Sequence, residues 1–252
     1  MDSEELVTIQ ESSDYQDISK KVINSFNTIL KKAFDTKNNK IIVNTSLKKG
    51  LPKENINKIA GPIIEAWVQE LFEDIDIEDN DIDIINVDMP SRLHMADLIV
   101  DFNIDGKNVQ AYCDVKSTSY DIKSSGKSPN VTSYARIRDA YTKNPNFIFI
   151  IISLKHSLTT LTTDDSEIID GFFEMQDFKA YDLKNLSDND ISYNPSLGTG
   201  QLQIKNIHDV EIIERTSSEF CEMLDKKYIN SSKRTKEDWL AEARKHKWVI
   251  EE

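Results

Sequence analysis

Asp97, Asp114 and Lys116 are the residues of this chain whose types and spacing could do chemistry together. They lie within residues 96–118, ADLIVDFNIDGKNVQAYCDVKST, a segment that reads as two β-strands joined by a tight Asp105-Gly106 turn. Asp-Gly flanked by strand-formers is a strong short-range hairpin signal. With those two residues as the loop, Ile104 faces Lys107, and counting outward pairs Val100 with Ala111 and Asp97 with Asp114. Directly opposed carboxylates, with Cβ atoms about 5 Å apart, repel each other. A cation between them reverses that penalty, because Mg²⁺ takes carboxylate oxygens as ligands. Strand alternation puts Lys116 on the face of Asp114 and sends Cys113 and Val115 to the other. Two acids and a lysine meeting at one spot suit metal-assisted hydrolysis of a phosphodiester.

On these residues the chain resembles the PD-(D/E)XK nuclease superfamily, to which most type II restriction endonucleases belong. Asp97 matches the first acid of the pattern, and Asp114-Val115-Lys116 matches the tripeptide. Ala96 stands where the motif has proline, a position that is not a ligand. The resemblance implies that Asp97, Asp114 and the backbone carbonyl of Val115 hold one or two Mg²⁺ ions. It also implies that Lys116 positions the attacking water and offsets charge on the phosphate. A lysine beside a dication has its pKa depressed, which would let it help to deprotonate that water. The product would carry a 5′-phosphate and a 3′-hydroxyl. Family members often add a glutamate from a preceding helix. Residues 57–72, NKIAGPIIEAWVQELF, read as that helix, with Ile56, Ile59, Ile63, Trp67 and Leu71 at helical spacing. Glu65 and Glu70 compete for the role. Gly61-x-x-x-Glu65 is similar to the arrangement in several members and favours Glu65, although a helical wheel sets Glu65 nearly opposite the apolar stripe and Glu70 on its flank. Helix glutamates are usually solvated.

These groups need a scaffold, and 252 residues with 7 glycines and 6 prolines suggest one domain (1–252) with a sizeable core and no long linker. A helix is expected over residues 18–34, a short strand at 40–43, a loop at 48–52, and over 75–87, where Ile alternates with Asp, either a half-exposed edge strand or, from the charge density, a loop. After the hairpin come a turn-rich loop at 124–130, a helix at 131–141, and a continuously apolar strand at 147–154, as for a strand buried on both faces. A further strand (172–183), a loop (194–200), a strand (201–205) and two helices (217–228 and 235–246) complete the reading. The fold class is α/β: a mixed β-sheet with flanking helices. It matches the restriction-endonuclease-like αβββαβ core, with an N-terminal helical region and C-terminal helices.

The net charge of −13 opposes generic nucleic-acid binding, which relies on a basic footprint. The acids concentrate in the first 17 residues and in 73–88, whereas Lys and Arg concentrate in 116–143 and 226–247. An acidic exterior around a basic cleft fits an enzyme that discriminates against random DNA; ordinary solvated surface fits the same counts. Candidate DNA contacts are Ser124, Lys127, Asn130, Thr132 and Ser133, directly after the catalytic strand. Arg136 and Arg138 follow, about 200° apart on a helix, so at most one faces DNA. Lys155 and His156 close the apolar strand. Gln201 and Gln203 share a strand face, and Gln suits bidentate adenine recognition, although such a pair is more often plain surface.

No apolar run reaches the roughly 20 residues of a membrane span, and the acidic start is unlike a signal peptide. The two cysteines, Cys113 and Cys221, form no metal-ligand cluster and suit a reducing cytoplasm. Asn-, Ile- and Lys-rich composition hints at an AT-rich bacterial genome. The expected function is a Mg²⁺-dependent, sequence-specific endonuclease of double-stranded DNA, working as a homodimer that matches a palindromic site. A repair or phage-defence nuclease of the same fold is the alternative, and a non-enzymatic acidic partner-binding protein is another.

Overall fold

The computed structural model describes residues 5–45, 53–75, 84–91, 94–122, 128–161, 169–196 and 198–250. The chain divides into two compact units. One comprises residues 21–127 and 150–181, the other residues 1–20, 128–149 and 182–252.

The first unit is built on a six-stranded sheet. In chain order its strands are β1 (Lys40–Thr45), β2 (Ile84–Asp88), β3 (Leu98–Ile104), β4 (Lys107–Ser119), and, after the short β5 (Asn130–Ser133) of the other unit, β6 (Ile148–Leu161) and β7 (Ile169–Asp182). Across the sheet they run β1-β7-β6-β4-β3-β2. The Ile/Asp-alternating segment does supply an edge strand, β2, with a register shift between Ile84 and Asn86; residues 76–83 lie outside the described part. The apolar 147–154 run becomes the centre of β6, and residues 147–152 and 154 are all buried.

Helices α1 (Tyr15–Asp35) and α2 (Lys53–Glu73) cover this sheet. Phe26 of α1 meets Phe72 of α2 at 4.9 Å and Phe102 of β3 at 6.0 Å between ring centroids. The buried face of α2 is Ala60, Ile64, Trp67, Val68 and Phe72, whereas Ile59 is 51% exposed. The expected stripe through Ile59 and Ile63 is therefore off by about one residue, or 100° of rotation. Two apolar stripes overlap in this sequence, and the one carrying Phe72 and Val68 with Trp67 is the one that packs.

The second unit combines a three-stranded sheet, in the order β5-β9-β8, with helices α3 (Tyr134–Lys143), α4 (Ser217–Ile229) and α5 (Lys236–Lys245). Strand β8 is Ile191–Asn194 and β9 is Gln201–Ile204. The helix expected over 131–141 begins later, because β-branched Val131 and Thr132 extend as β5 and the Ser133 hydroxyl caps α3 by accepting from Arg136 N–H. Capping boxes, Thr216 with Glu219 and Thr235 with Asp238, start α4 and α5. The core is aromatic: Tyr134 packs on Tyr228 at 4.8 Å and on Trp248 at 5.6 Å. Between β8 and β9, Gly200 has φ +90, and a Cβ there would fall 2.2 Å from the Tyr193 ring, so glycine is required twice over.

Candidate active site

The hairpin sets the site. Asp105 and Gly106 take positive φ values of 52 and 77, the left-handed pair of a type I′ turn. Ile104 pairs with Lys107, Val100 with Ala111 and Leu98 with Cys113, so the register arrives at Asp97 beside Asp114 as the turn dictates. Asp97 N–H donates to Cys113 O at 2.8 Å, and its carboxylate Oδ2 accepts from Val115 N–H at 2.8 Å. From α2, Gln69 Nε2 donates to the Asp97 carbonyl at 2.8 Å. The first acid is thus clamped at both its backbone and its side chain.

Asp114 is only 4% exposed. Its Oδ1 accepts from Lys116 Nζ at 2.7 Å, but its buried Oδ2 has no hydrogen-bond partner among the described residues. Burial pushes the Asp114 carboxyl up to about 7; Lys116 pulls it down, and Asp97 and Glu65 push it further up. Burial pulls on Lys116 in the opposite sense, yet Asp114, Asp97 and Glu65 together leave its pKa raised above the ordinary lysine value. Glu65 therefore belongs to the same electrostatic cluster. Its Oε1 lies back over Gly61, 3.8 Å from where a Cβ would sit. Glu70 is exposed and is not among the groups that chiefly shift Asp114 or Lys116. The rotated apolar face of α2 accounts for this, since Glu65 follows buried Ile64 rather than standing opposite the core.

The candidate DNA contacts separate by unit. Ser124 and Lys127 lie outside the described residues. In the unit with the hairpin, β6 continues to Leu161, so Lys155 and His156 are mid-strand rather than at the strand's end. The Lys155 ammonium stands 5.5 Å over the Tyr120 ring. His156 is 2% exposed and edge-on to Phe173, and burial lowers its pKa to about 4 against a weaker upward pull from Asp121. In the other unit, Asn130 pairs with Gln203 and Ser133 with Gln201 across β5 and β9. Gln203 Nε2 donates to Asn130 Oδ1 at 2.9 Å. Thr132 is buried, and the Ser133 hydroxyl is spent on its cap. Arg138 is buried in an ion pair with Asp225, which leaves Arg136 exposed on the first turn of α3.

Sequence reasoning overlooked Gln69, which falls one helical turn after Glu65. It also overlooked Ser192 and Asn194 of β8, the cross-strand partners of Gln203 and Gln201. Strand β8 is four residues long, too short for its alternation to show.

A mixed sheet flanked by helices, with an acid–acid–lysine face on its central hairpin, defines the restriction-endonuclease-like class. The sequence profile of the family described as type II restriction endonuclease HpaI matches residues 2–247. The type II restriction enzyme HpaI of Haemophilus parainfluenzae is 50% identical over 240 residues, covering 95% of this chain and 94% of that protein. Among solved structures, NlaIV restriction endonuclease aligns with a TM-score of 0.42 and 10% identity, over 89% of this chain and 91% of its own. The chain belongs to the HpaI family of type II restriction endonucleases, and is a sequence-specific DNA endonuclease.

Proposed function

We propose that this enzyme cuts double-stranded DNA with Mg²⁺ at the Asp97–Asp114 face, as a homodimer in the bacterial cytoplasm. The observation that carries the site assignment is Asp114 Oδ2: a buried carboxylate oxygen without a partner, beside a second aspartate. A buried, unsatisfied charge is costly, and a divalent cation is the partner that this donor chemistry suits. Among the described residues no three His, Cys, Asp or Glu side chains are gathered tightly enough to enclose an ion alone. Asp97, Asp114 and the Val115 carbonyl would therefore share the cation with water and phosphate oxygens, as Mg²⁺ usually requires, and with Glu65 drawn in from α2. When bound, Mg²⁺ supplies Lewis-acid polarisation of the phosphate and lowers the pKa of a coordinated water.

The protein's own groups do the rest. Val115 N–H and Gln69 hold Asp97 in place. Lys116, kept protonated by the surrounding acids, offsets charge building on the phosphate and orients the water. For recognition, Asn130, Gln201 and Gln203 offer amide donors and acceptors on one face of the small sheet, the chemistry that reads adenine edges. Arg136, Lys155, Ser133, Thr132, His156, Ser124 and Lys127 complete the candidate contact set, with His156 and Thr132 the most enclosed.

Unmethylated phage DNA incubated with and without Mg²⁺ tests the reading. Discrete, Mg²⁺-dependent bands with common 5′-phosphate ends, lost in Asp114→Ala, are expected. A smear, or bands that survive chelation, would overturn it. Light scattering of the purified protein tests the dimer.

A further inference from the structure

His94 stands beside the cleavage face in a defined state. It is exposed, and its ring stacks on Tyr112 at 5.7 Å between centroids and 19° between planes. Ala96 N–H donates to its Nδ1 at 3.3 Å. A backbone N–H can only donate, so Nδ1 presents a lone pair to it and Nε2 is left as the ring's N–H donor. Nε2 lies across the ring from that bond and has no partner among the described residues.

Tyr112 shares the β4 face of Asp114 and Lys116, and its cross-strand partner Ile99 shares the β3 face of Asp97. The ring that carries His94 is thus one same-face step, about 7 Å, from the acid pair. Successive phosphates of one DNA strand are separated by a similar distance. The face is acidic, with Asp97, Asp101 and Asp114 on it, and the Lys116 ammonium is already bonded to Asp114. A second phosphate on this face therefore needs a donor that the carboxylates do not capture. A cation is drawn to them by its charge; the His94 Nε2–H, held in the ring stack on Tyr112, donates to none of them among the described residues.

We propose that His94 is a further DNA-binding residue of the site, its Nε2–H gripping the phosphate next to the scissile one. The proposal rests on the assignment of Asp97 and Asp114 as the cleavage face. Tyr112 acts as the platform, and only its ring is needed, because its hydroxyl is tied to Gln110 Oε1 at 2.9 Å.

Single-turnover cleavage of a duplex carrying the recognition site tests this, with a neutral methylphosphonate placed in turn on either side of the scissile phosphate. His94→Ala should slow cleavage about 10- to 100-fold, the effect of losing one hydrogen bond to a charged group. His94→Gln, which keeps an N–H donor, should recover most of the rate. Tyr112→Ala, which removes the platform, should match His94→Ala. One flanking methylphosphonate should slow the wild type and leave His94→Ala unaffected, because the two changes remove the same contact. Wild-type rates in His94→Ala, or equal slowing of both proteins by every methylphosphonate, would overturn the proposal. Should His94→Ala cleave fully while Asp114→Ala is dead, the His94 proposal alone fails. Full cleavage by Asp114→Ala would overturn the site beneath it.

Discussion

Asp114 on the hairpin and Asp225 in the helical unit are both buried beside a basic side chain, 4% and 7% exposed. Their surroundings otherwise differ at every oxygen. Asp225 accepts from Arg138 Nε on both oxygens and from its Nη2 at 3.2 Å, and from the Tyr134 hydroxyl at 2.5 Å. Trp239 Nε1 in turn donates to that hydroxyl at 3.1 Å. Asp114 has Lys116 on one oxygen and, among the described residues, nothing on the other, with two more carboxylates close enough to raise its pKa. Buried polar groups in a stable framework are satisfied. One left short, among like charges, is a place where stability has been given up and a ligand is expected. On the proposed site assignment, the two aspartates separate a fold-holding ion pair from a reactive one.

Exchanging each aspartate for asparagine should break the comparison open, with effects of opposite sign. Asp114→Asn should reduce cleavage about a thousandfold or more while raising the melting temperature in chelator at pH 8. The sign follows from linkage. A carboxyl raised to about 7 in the folded state, from 3.8 unfolded, favours folding in acid, and that contribution is lost as pH rises between those values. The stabilisation by asparagine should therefore vanish near pH 4. Asp225→Asn should do the reverse, costing about 3–5 kcal/mol because Arg138 is left buried without its counter-charge. A stable Asp225→Asn variant, or an Asp114→Asn variant that melts lower at pH 8, would remove the distinction.

His156 sharpens the comparison as a buried base in the hairpin's own unit. Burial lowers its pKa to about 4, from 6.5, so it stays neutral in the folded protein near neutrality. A base with a depressed folded pKa supports the fold above 6.5, and that support drains as pH falls towards 4. Denaturant melts of wild type and His156→Gln across pH 4–8 should converge in acid by about 3 kcal/mol relative to neutral pH. Parallel curves would show that the ring titrates as it does in the unfolded chain.

The hairpin was legible in the sequence because its turn chemistry leaves no freedom: Asp105-Gly106 fixes a type I′ turn, and the turn fixes every pair back to Asp97. The continuous apolar run of β6 announced a buried strand for the same local reason. What the sequence concealed depended on tertiary choice. Residues 56–72 carry two overlapping apolar stripes, and only packing against Phe26 selects the one through Phe72. Val131 and Thr132 continue a helical pattern, yet they lie in β5, which pairs with β9, a strand some 70 residues away in the chain. Arg138 carries no sign that Asp225 awaits it. Local geometry reads directly from sequence, and a partner distant in the chain does not.

Glu65 and Glu70 give the smallest and most discriminating test, because one helix offers both and the α2 rotation decides between them. Glu65 is half-buried and acts on both Asp114 and Lys116, while Glu70 is exposed. Glu65→Gln should slow cleavage about 10- to 100-fold, the range for a supporting residue around a metal. It should also let Asp114 ionise more readily, which shifts the acid limb of the cleavage profile to lower pH. Glu70→Gln removes only a solvated surface charge and should stay within about twofold. Reversed outcomes would mean that the helix turns its other flank to the DNA-bound site, placing the Ile59–Ile63 stripe against the sheet. Equal, small outcomes would confine the chemistry to the hairpin: Asp97, Asp114 and Lys116 would then carry cleavage without a helix acid.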